Sequence, residues 1–252
     1  MKKALFCFTL PNGWSLADTW SWRCYSEIDD DIDDGDDGAA WSIENGFWWK
    51  PFKKKPFPRH EILPEDFEIA FRAARGFDIS SNRNWCVNRG LSYFVKQTED
   101  FIFDFDVLIF IDADIQYEYS DVAAILRNHL KYPDAIIGGC YQGRKSDGYT
   151  AGMFSDENPR AISLPLDTRG IIKVDYVGAG FSLVPASVFK KIQYPFYWTF
   201  YEDFKIADPF NGGEKRLARF PISEDCYFCK QCKWENIDVY ADADIVLKHH
   251  LW

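Results

Sequence analysis

Apolar and polar positions alternate between strand-like and helix-like periods along much of the chain. Val107, Leu108, Ile109, Phe110 and Ile111 are five consecutive apolar positions, mostly β-branched or aromatic. Such a run predicts a strand buried on both faces, of the kind parallel sheets contain. Ala4 to Leu10 predicts an earlier strand, closed by the turn residues Pro11, Asn12 and Gly13. Residues 67–74 predict a second strand. Cys86, Val87, Gly90, Leu91, Phe94 and Val95 then recur at helical spacing and predict a helix over 84–96. Ser120 is placed to cap a helix with the apolar stripe Val122, Ile125 and Leu126, which stops before Pro133. Ala135, Ile136 and Ile137 predict another short strand, closing with Gly138 and Gly139. This alternation predicts an α/β fold with a largely parallel sheet, at least in the first half. Beyond Tyr149 the pattern is mixed, and no solenoid-type repeat is present.

The 252 residues suit a single domain with a substantial core, interrupted by an irregular insertion at 14–64. That insertion holds an acidic run, then Trp41, Phe47, Trp48 and Trp49, then Lys53, Lys54 and Lys55 between prolines. Eight acids in eleven residues, from Glu27 to Asp37, supply most of the net charge of −10, leaving the remainder near −2. A nearly neutral body on an acidic chain argues against broad nucleic-acid binding. Asp29, Asp31 and Asp33 have the starting spacing of an EF-hand loop, but Asp34 and Ala40 occupy its glycine and glutamate positions. A solvated acidic loop is the expectation. The seven cysteines form an odd set that fits a reducing compartment. Met1-Lys2-Lys3 and the apolar residues after it mimic a signal peptide, yet the stretch is short and ends in a turn, so a first strand is expected. No apolar run reaches the length of a membrane span, and a cytoplasmic location is the expectation.

Candidate chemistry centres on Asp112-Ala113-Asp114, at the carboxyl end of the strongest strand. Strand alternation projects residues 112 and 114 to one side, about 6–7 Å apart along the chain, a seat for a divalent cation. That edge is also where open α/β sheets bind ligands. Asp242-Ala243-Asp244-Ile245 repeats the tetrapeptide but precedes its apolar residues, so it is read as leading into a strand that carries His249 and His250. Glu224 and Asp225 follow Ser223 at a helix start, where two acids either favour the helix dipole or serve as a proton acceptor. Cys226, Cys229 and Cys232 are spaced to hold zinc or simply to lie buried on one helix face.

Set in order, these pieces resemble the GT-A glycosyltransferases, in particular their family 2-like branch, over about residues 67–252. Arg83-Asn84 looks like the Arg-Asn element, and Asp112-Ala113-Asp114 looks like the Asp-X-Asp motif. Ile137 to Tyr141 resembles the strand that follows, and Val177-Gly178-Ala179-Gly180-Phe181-Ser182-Leu183 the Gly-rich acceptor segment. Tyr194-Pro195-Phe196 resembles the aromatic stretch, Glu224-Asp225 the Glu-Asp motif, and His249-His250 the terminal histidine. The resemblance implies a GT-A fold, with a mainly parallel sheet flanked by helices. It implies metal-dependent, inverting transfer of a sugar from a UDP-, GDP- or TDP-sugar to a glycan or other hydroxyl acceptor, with Mn²⁺ or Mg²⁺ offsetting the diphosphate charge.

By the same resemblance Asp114 ligates the metal, and Asp112 holds the metal or the ribose, with Ala113 between them. His249 or His250 would complete the coordination. Thr9 and Pro11 would lie against the base, while Arg83 would contact the diphosphate or base. Gly178 and Gly180 would let the backbone approach a sugar, while Tyr197 or Trp198 either stacks on an acceptor sugar or packs in the core. Asp225 would be the general base, supported by Glu224. Two other functions fit the sequence: a sugar nucleotidyltransferase, or a non-catalytic binding module stabilised by zinc on Cys226, Cys229 and Cys232.

Overall fold

The computed structural model describes residues 2–10, 47–48, 67–75, 78–88, 103, 105–143, 147–155, 161–207 and 215–250. Pro11, nearly all of the 14–64 insertion and residues 89–96 of the expected helix lie outside them. The strands are β1 (Lys2–Leu10), β2 (Phe47–Trp48), β3 (Phe67–Arg75), β4 (Val107–Asp112), β5 (Ile115–Gln116), β6 (Ile136–Cys140), β7 (Gly148–Met153), β8 (Ile162–Pro165), β9 (Ile171–Val174), β10 (Tyr176–Val177), β11 (Phe181–Pro185), β12 (Phe200–Ala207), β13 (Lys215–Ile222), β14 (Val239–Val246) and β15 (Lys248–His249). The helices are α1 (Ile79–Asn88), α2 (Tyr119–Lys131), α3 (Ala186–Lys191) and α4 (Glu224–Trp234).

An eight-stranded sheet has the order β2-β3-β1-β4-β11-β6-β14-β9. β3, β1, β4, β6 and β14 run one way, whereas β2, β11 and β9 run the other. The α/β class is as expected, but the sheet is mixed: β11 runs antiparallel between β4 and β6. From β1 the chain passes to β3 on one flank and then to β4 on the other. The carboxyl ends of β1 and β4 therefore bracket a topological switch point, the usual crevice for ligands in open α/β sheets.

β4 has the environment its sequence predicts. Leu108 and Phe110 enter one apolar cluster, while Val107, Ile109 and Ile111 enter the other, and all five are fully buried. Burial on both faces stabilises this strand by roughly 1.5–3 kcal/mol per large side chain. Glycines at 138 and 139 do not close β6, which continues to Cys140. A Cβ at Gly138 would press on the Val177 side chain, and one at Gly139 on Ile245 and Phe181. Close packing, not a turn, explains both.

Two helix starts differ from the sequence reading. α1 begins at Ile79, because the Asp78 carboxylate accepts the Ser81 N–H at 3.0 Å and the Ser81 hydroxyl at 2.5 Å. The helix therefore carries Arg83 in its interior, not at its first turn. α2 is capped by Glu118, in a capping box with Asp121, in place of Ser120.

Cys7 of β1 and Cys86 of α1, read from sequence as thiols of a reducing compartment, are joined by a disulfide with a Cα–Cα distance of 6.3 Å. Their strand and helix bring the two within bridging reach, which spacing along the chain could not reveal. No described helix is long and apolar enough to cross a membrane.

The second Asp-Ala-Asp copy lies within β14. Asp242 accepts from the Asn128 amide of α2 at 2.5 Å and from the Asp244 N–H at 3.0 Å. Asp244 accepts the Gly170 N–H at 3.0 Å. Both carboxylates are spent on tying elements together. The chain then continues into β15, which pairs antiparallel with β5 through Lys248↔Gln116 and His249↔Ile115. The second copy thus leads the histidines back to the first.

Candidate active site at the carboxyl end of β4

β4 ends at Asp112, and Ala113 and Asp114 form a turn. The alternation that would place both carboxylates on one strand face stops at Asp112, two residues short of Asp114. They take different partners. Arg83, 1% exposed, donates from Nη2 to both Asp112 oxygens at 3.2 and 3.0 Å. Its Nη1 donates to Glu224 Oε1 at 2.7 Å and, more closely still, to Asp225 Oδ1. The sequence reading expected this guanidinium on a diphosphate. Instead it binds carboxylates from β4 and the first turn of α4.

One buried cation thus faces three carboxylates, and the charges do not balance. Burial by itself would lower the Arg83 pKa, but Asp112, Asp225 and Glu224 hold it well above its usual value. Asp225 bears the excess. Burial pushes its carboxyl up to about 7, Arg83 opposes the shift, and Glu224 and Asp112 reinforce it. The backbone of Ala179 favours the ionised form of Asp225. A carboxylate poised near neutrality can accept a proton at physiological pH.

The local sequence explains how these groups converge. Ser223 caps α4, its hydroxyl accepting the Cys226 N–H at 3.4 Å, so both acids fall in the first turn, as expected. Asn84, next to Arg83, clamps the backbone of Tyr197 through Nδ2 to its carbonyl at 2.6 Å and from its N–H to Oδ1 at 3.0 Å. Tyr197 is fully buried and stacks on Phe228 at 4.6 Å, with the Arg83 guanidinium carbon 5.8 Å from its ring centroid. Its ring is therefore core and a wall for Arg83, not an acceptor platform. Trp198 is 47% exposed.

Asp114 belongs to a second grouping. Its Oδ2 lies 3.1 Å from His249 Nε2, while His249 Nδ1 lies 3.3 Å from the Gln142 carbonyl oxygen. A carbonyl only accepts, so Nδ1 carries a hydrogen, and an ionised carboxylate facing Nε2 also only accepts. Either a proton or a cation must reconcile Nε2 with Asp114. A ligand pair at about 2.1 Å from an octahedral ion sits roughly 3 Å apart when adjacent, and a ligating imidazole ordinarily donates its other nitrogen to a carbonyl. The spacing of the pair is that of two adjacent ligands of a divalent ion. Among the described residues no group of three or more His, Cys, Asp and Glu could hold a metal ion. Asp112 is engaged by Arg83, and His250 Nε2 meets Gln116 Oε1 at 2.9 Å.

Of the remaining expected residues, Thr9 is in register with Asp112 on β1, with only its backbone described. Ala113 is buried in the core beneath the turn. Gly178 and Gly180 were expected to leave room for a sugar. A Cβ at either would collide with the Tyr141 hydroxyl, at 2.5 Å for Gly180, so a tyrosine fills that space. Tyr141 carried no functional reading in the sequence, because its contacts all come from distant segments. Cys229 and Cys232 are buried in the core, and burial pushes the Cys226 thiol up to about 11 and the other two higher. Among the described residues the three thiols do not form a group that could hold a metal ion.

No family model matches the chain, and no curated protein matches it. Among solved structures, the crystal structure of A197 from STIV is similar with a TM-score of 0.49 and 14% identity, covering 100% of this chain and 87% of that one. A likeness at that level carries no argument about function. Membership of the family 2-like GT-A branch, which the ordered motifs implied, is corrected by the absence of any family match. Motifs of two to four residues recur wherever strands end in acidic turns and helices begin with acids, so their order alone does not make a family.

Proposed function

We propose that the chain transfers a sugar from a nucleotide-sugar donor to a hydroxyl acceptor, with Asp225 as the general base. The observation that carries this reading is the juxtaposition at one switch-point crevice: Asp225, held by Arg83 and raised to about 7, and a separate Asp114–His249 pair suited to a divalent ion. One group serves acceptor activation and the other the donor diphosphate. A cation bound by Asp114 and His249, Mn²⁺ or Mg²⁺, would offset the charge that develops on the leaving diphosphate.

Asp225 takes the acceptor hydroxyl proton on a carboxylate oxygen. The acceptor oxygen forms a bond to the anomeric carbon, and the bond from that carbon to the diphosphate breaks with its electron pair leaving on the diphosphate. A single base on the acceptor side matches one displacement with inversion. Arg83 fixes the Asp225 rotamer and keeps Glu224 and Asp112 from forcing it to remain protonated. Arg83 is thus a positioning residue here.

The test is a thermal-shift panel of UDP-, GDP- and TDP-sugars with and without Mn²⁺, on the wild type and on Asp114→Ala and His249→Ala. At least one donor should stabilise the wild type in a metal-dependent manner, and both variants should lose the metal-dependent part. A protein indifferent to every donor would contradict the reading.

A further inference from the structure

His249 is held by more than its Asp114 partner. Its Nδ1 lies 3.3 Å from the Gln142 carbonyl oxygen, and its ring meets the Tyr141 ring edge-on at a centroid distance of 5.4 Å. Two consecutive residues just past β6 thus hold the imidazole, while Nε2 faces Asp114 Oδ2 at 3.1 Å. The backbone is tied in as well. His249 pairs with Ile115, and the His250 N–H donates to the Asp114 carbonyl at 2.8 Å.

The segment that holds the ring is itself anchored. The Cys140 carbonyl accepts the Leu247 N–H at 2.8 Å. The Tyr141 carbonyl accepts the Thr150 N–H at 2.9 Å and the Thr150 hydroxyl at 3.1 Å, and Gln142 bridges to Tyr149. The Tyr141 side chain is buried, and its hydroxyl accepts the Gly180 N–H at 3.0 Å. The Gly180 carbonyl in turn accepts the Asp112 N–H at 2.9 Å. A Cβ at Gly178 would strike the same hydroxyl. The tyrosine therefore spans from the backbone beside Asp112 to the imidazole beside Asp114.

Strand pairing fixes where His249 sits but not which way its ring faces, because χ2 of a histidine is broad and roughly two-fold. We propose that Tyr141 is a positioning residue for His249: its hydroxyl, seated on the Gly180 N–H, holds the aromatic ring against the imidazole, keeping Nδ1 on the Gln142 carbonyl and Nε2 toward Asp114. This rests on the reading of Asp114 and His249 as ligands of a divalent ion, but the ring orientation is a property of the chain alone.

Two readouts test it on the whole chain. The first is the orientation of the His249 ring in metal-free protein, from nuclear Overhauser contacts of its Hδ2 and Hε1 protons. The wild type should show one orientation, with Nε2 toward Asp114. Tyr141→Phe removes the acceptor for the Gly180 N–H, and Tyr141→Leu removes the ring too. Both should lose the single orientation and show contacts of both flips, while the β4 amides keep their wild-type shifts. Gly178→Ala should act likewise by displacing the hydroxyl. In a Tyr141→Phe background it should add little, since the nearest remaining atoms lie at 3.1 Å. The second readout is the affinity for Mn²⁺ alone, from the paramagnetic resonance of the free ion, which should fall on the order of tenfold in Tyr141→Leu. A single, unchanged orientation in folded Tyr141→Leu would overturn the proposal. So would a Gly178→Ala effect of equal size with and without the hydroxyl, or an undiminished affinity in a protein that binds Mn²⁺. A disordered imidazole in the variants of a protein that binds no Mn²⁺ would leave the positioning role standing and remove the metal reading.

Discussion

Arg83 decides more about this site than any other residue. A guanidinium in contact with three carboxylates is the only described cation among them, and removing it leaves a buried cluster of like charges. Arg83→Ala should cost about 3–5 kcal/mol in urea unfolding at pH 8. The deficit should shrink at pH 5, where Asp225 holds a proton and one of the like charges is removed. A loss that does not vary with pH would mean that packing, not charge, is what Arg83 supplies. Asp225 has the opposite character. Its folded-state pKa is raised above the ordinary carboxylate value, so the native state holds the proton more tightly than the unfolded chain does. Its contribution to stability is present at low pH and is lost as pH rises from about 4 to about 7. Asp225→Asn should flatten that decline in a pH series of melting temperatures. An unaltered decline would place the titration elsewhere.

At the level of elements, legibility followed from whether the signal was local. Five apolar residues in a row sufficed for β4, and Ser223 before two acids sufficed for the start of α4. The start of α1 was missed because its cap, Asp78, lies six residues before Asn84, where the apolar spacing put the start. The shared face of Asp112 and Asp114 failed for a physical reason: β4 ends at Asp112, so strand periodicity does not extend to Asp114. The antiparallel β11, the Tyr141 hydroxyl beneath the glycines and the Cys7–Cys86 bond are all long-range, and no period in the sequence encodes them. That disulfide joins β1 to α1, three residues beyond Arg83, across a separation of 79 residues. Closing so long a loop stabilises by about 2–4 kcal/mol. Chemical denaturation with and without a reductant should show that difference, and coincident curves would contradict it.

For the molecule as a whole, the account stands on a topological fact. β1 and β4 are neighbours whose connections diverge, and their carboxyl ends open a crevice to which α1, α4, the 178–180 turn and β15 all deliver polar side chains or backbone groups. The duplicated Asp-Ala-Asp tetrapeptide contributes twice: the first copy supplies the site, and the second anchors the strand that returns His249 to it. The proposed transfer rests on Asp225 acting as a base near neutral pH. The most direct measurement is the pH dependence of kcat/KM for release of nucleoside diphosphate from whichever donor stabilises the protein, with water or a sugar as acceptor. The rate should rise with pH through a limb near 7, and Asp225→Asn should lower kcat by roughly 10²–10⁴-fold while donor binding persists. A pH-independent rate, or an Asp225→Asn variant that turns over like the wild type, would contradict the account.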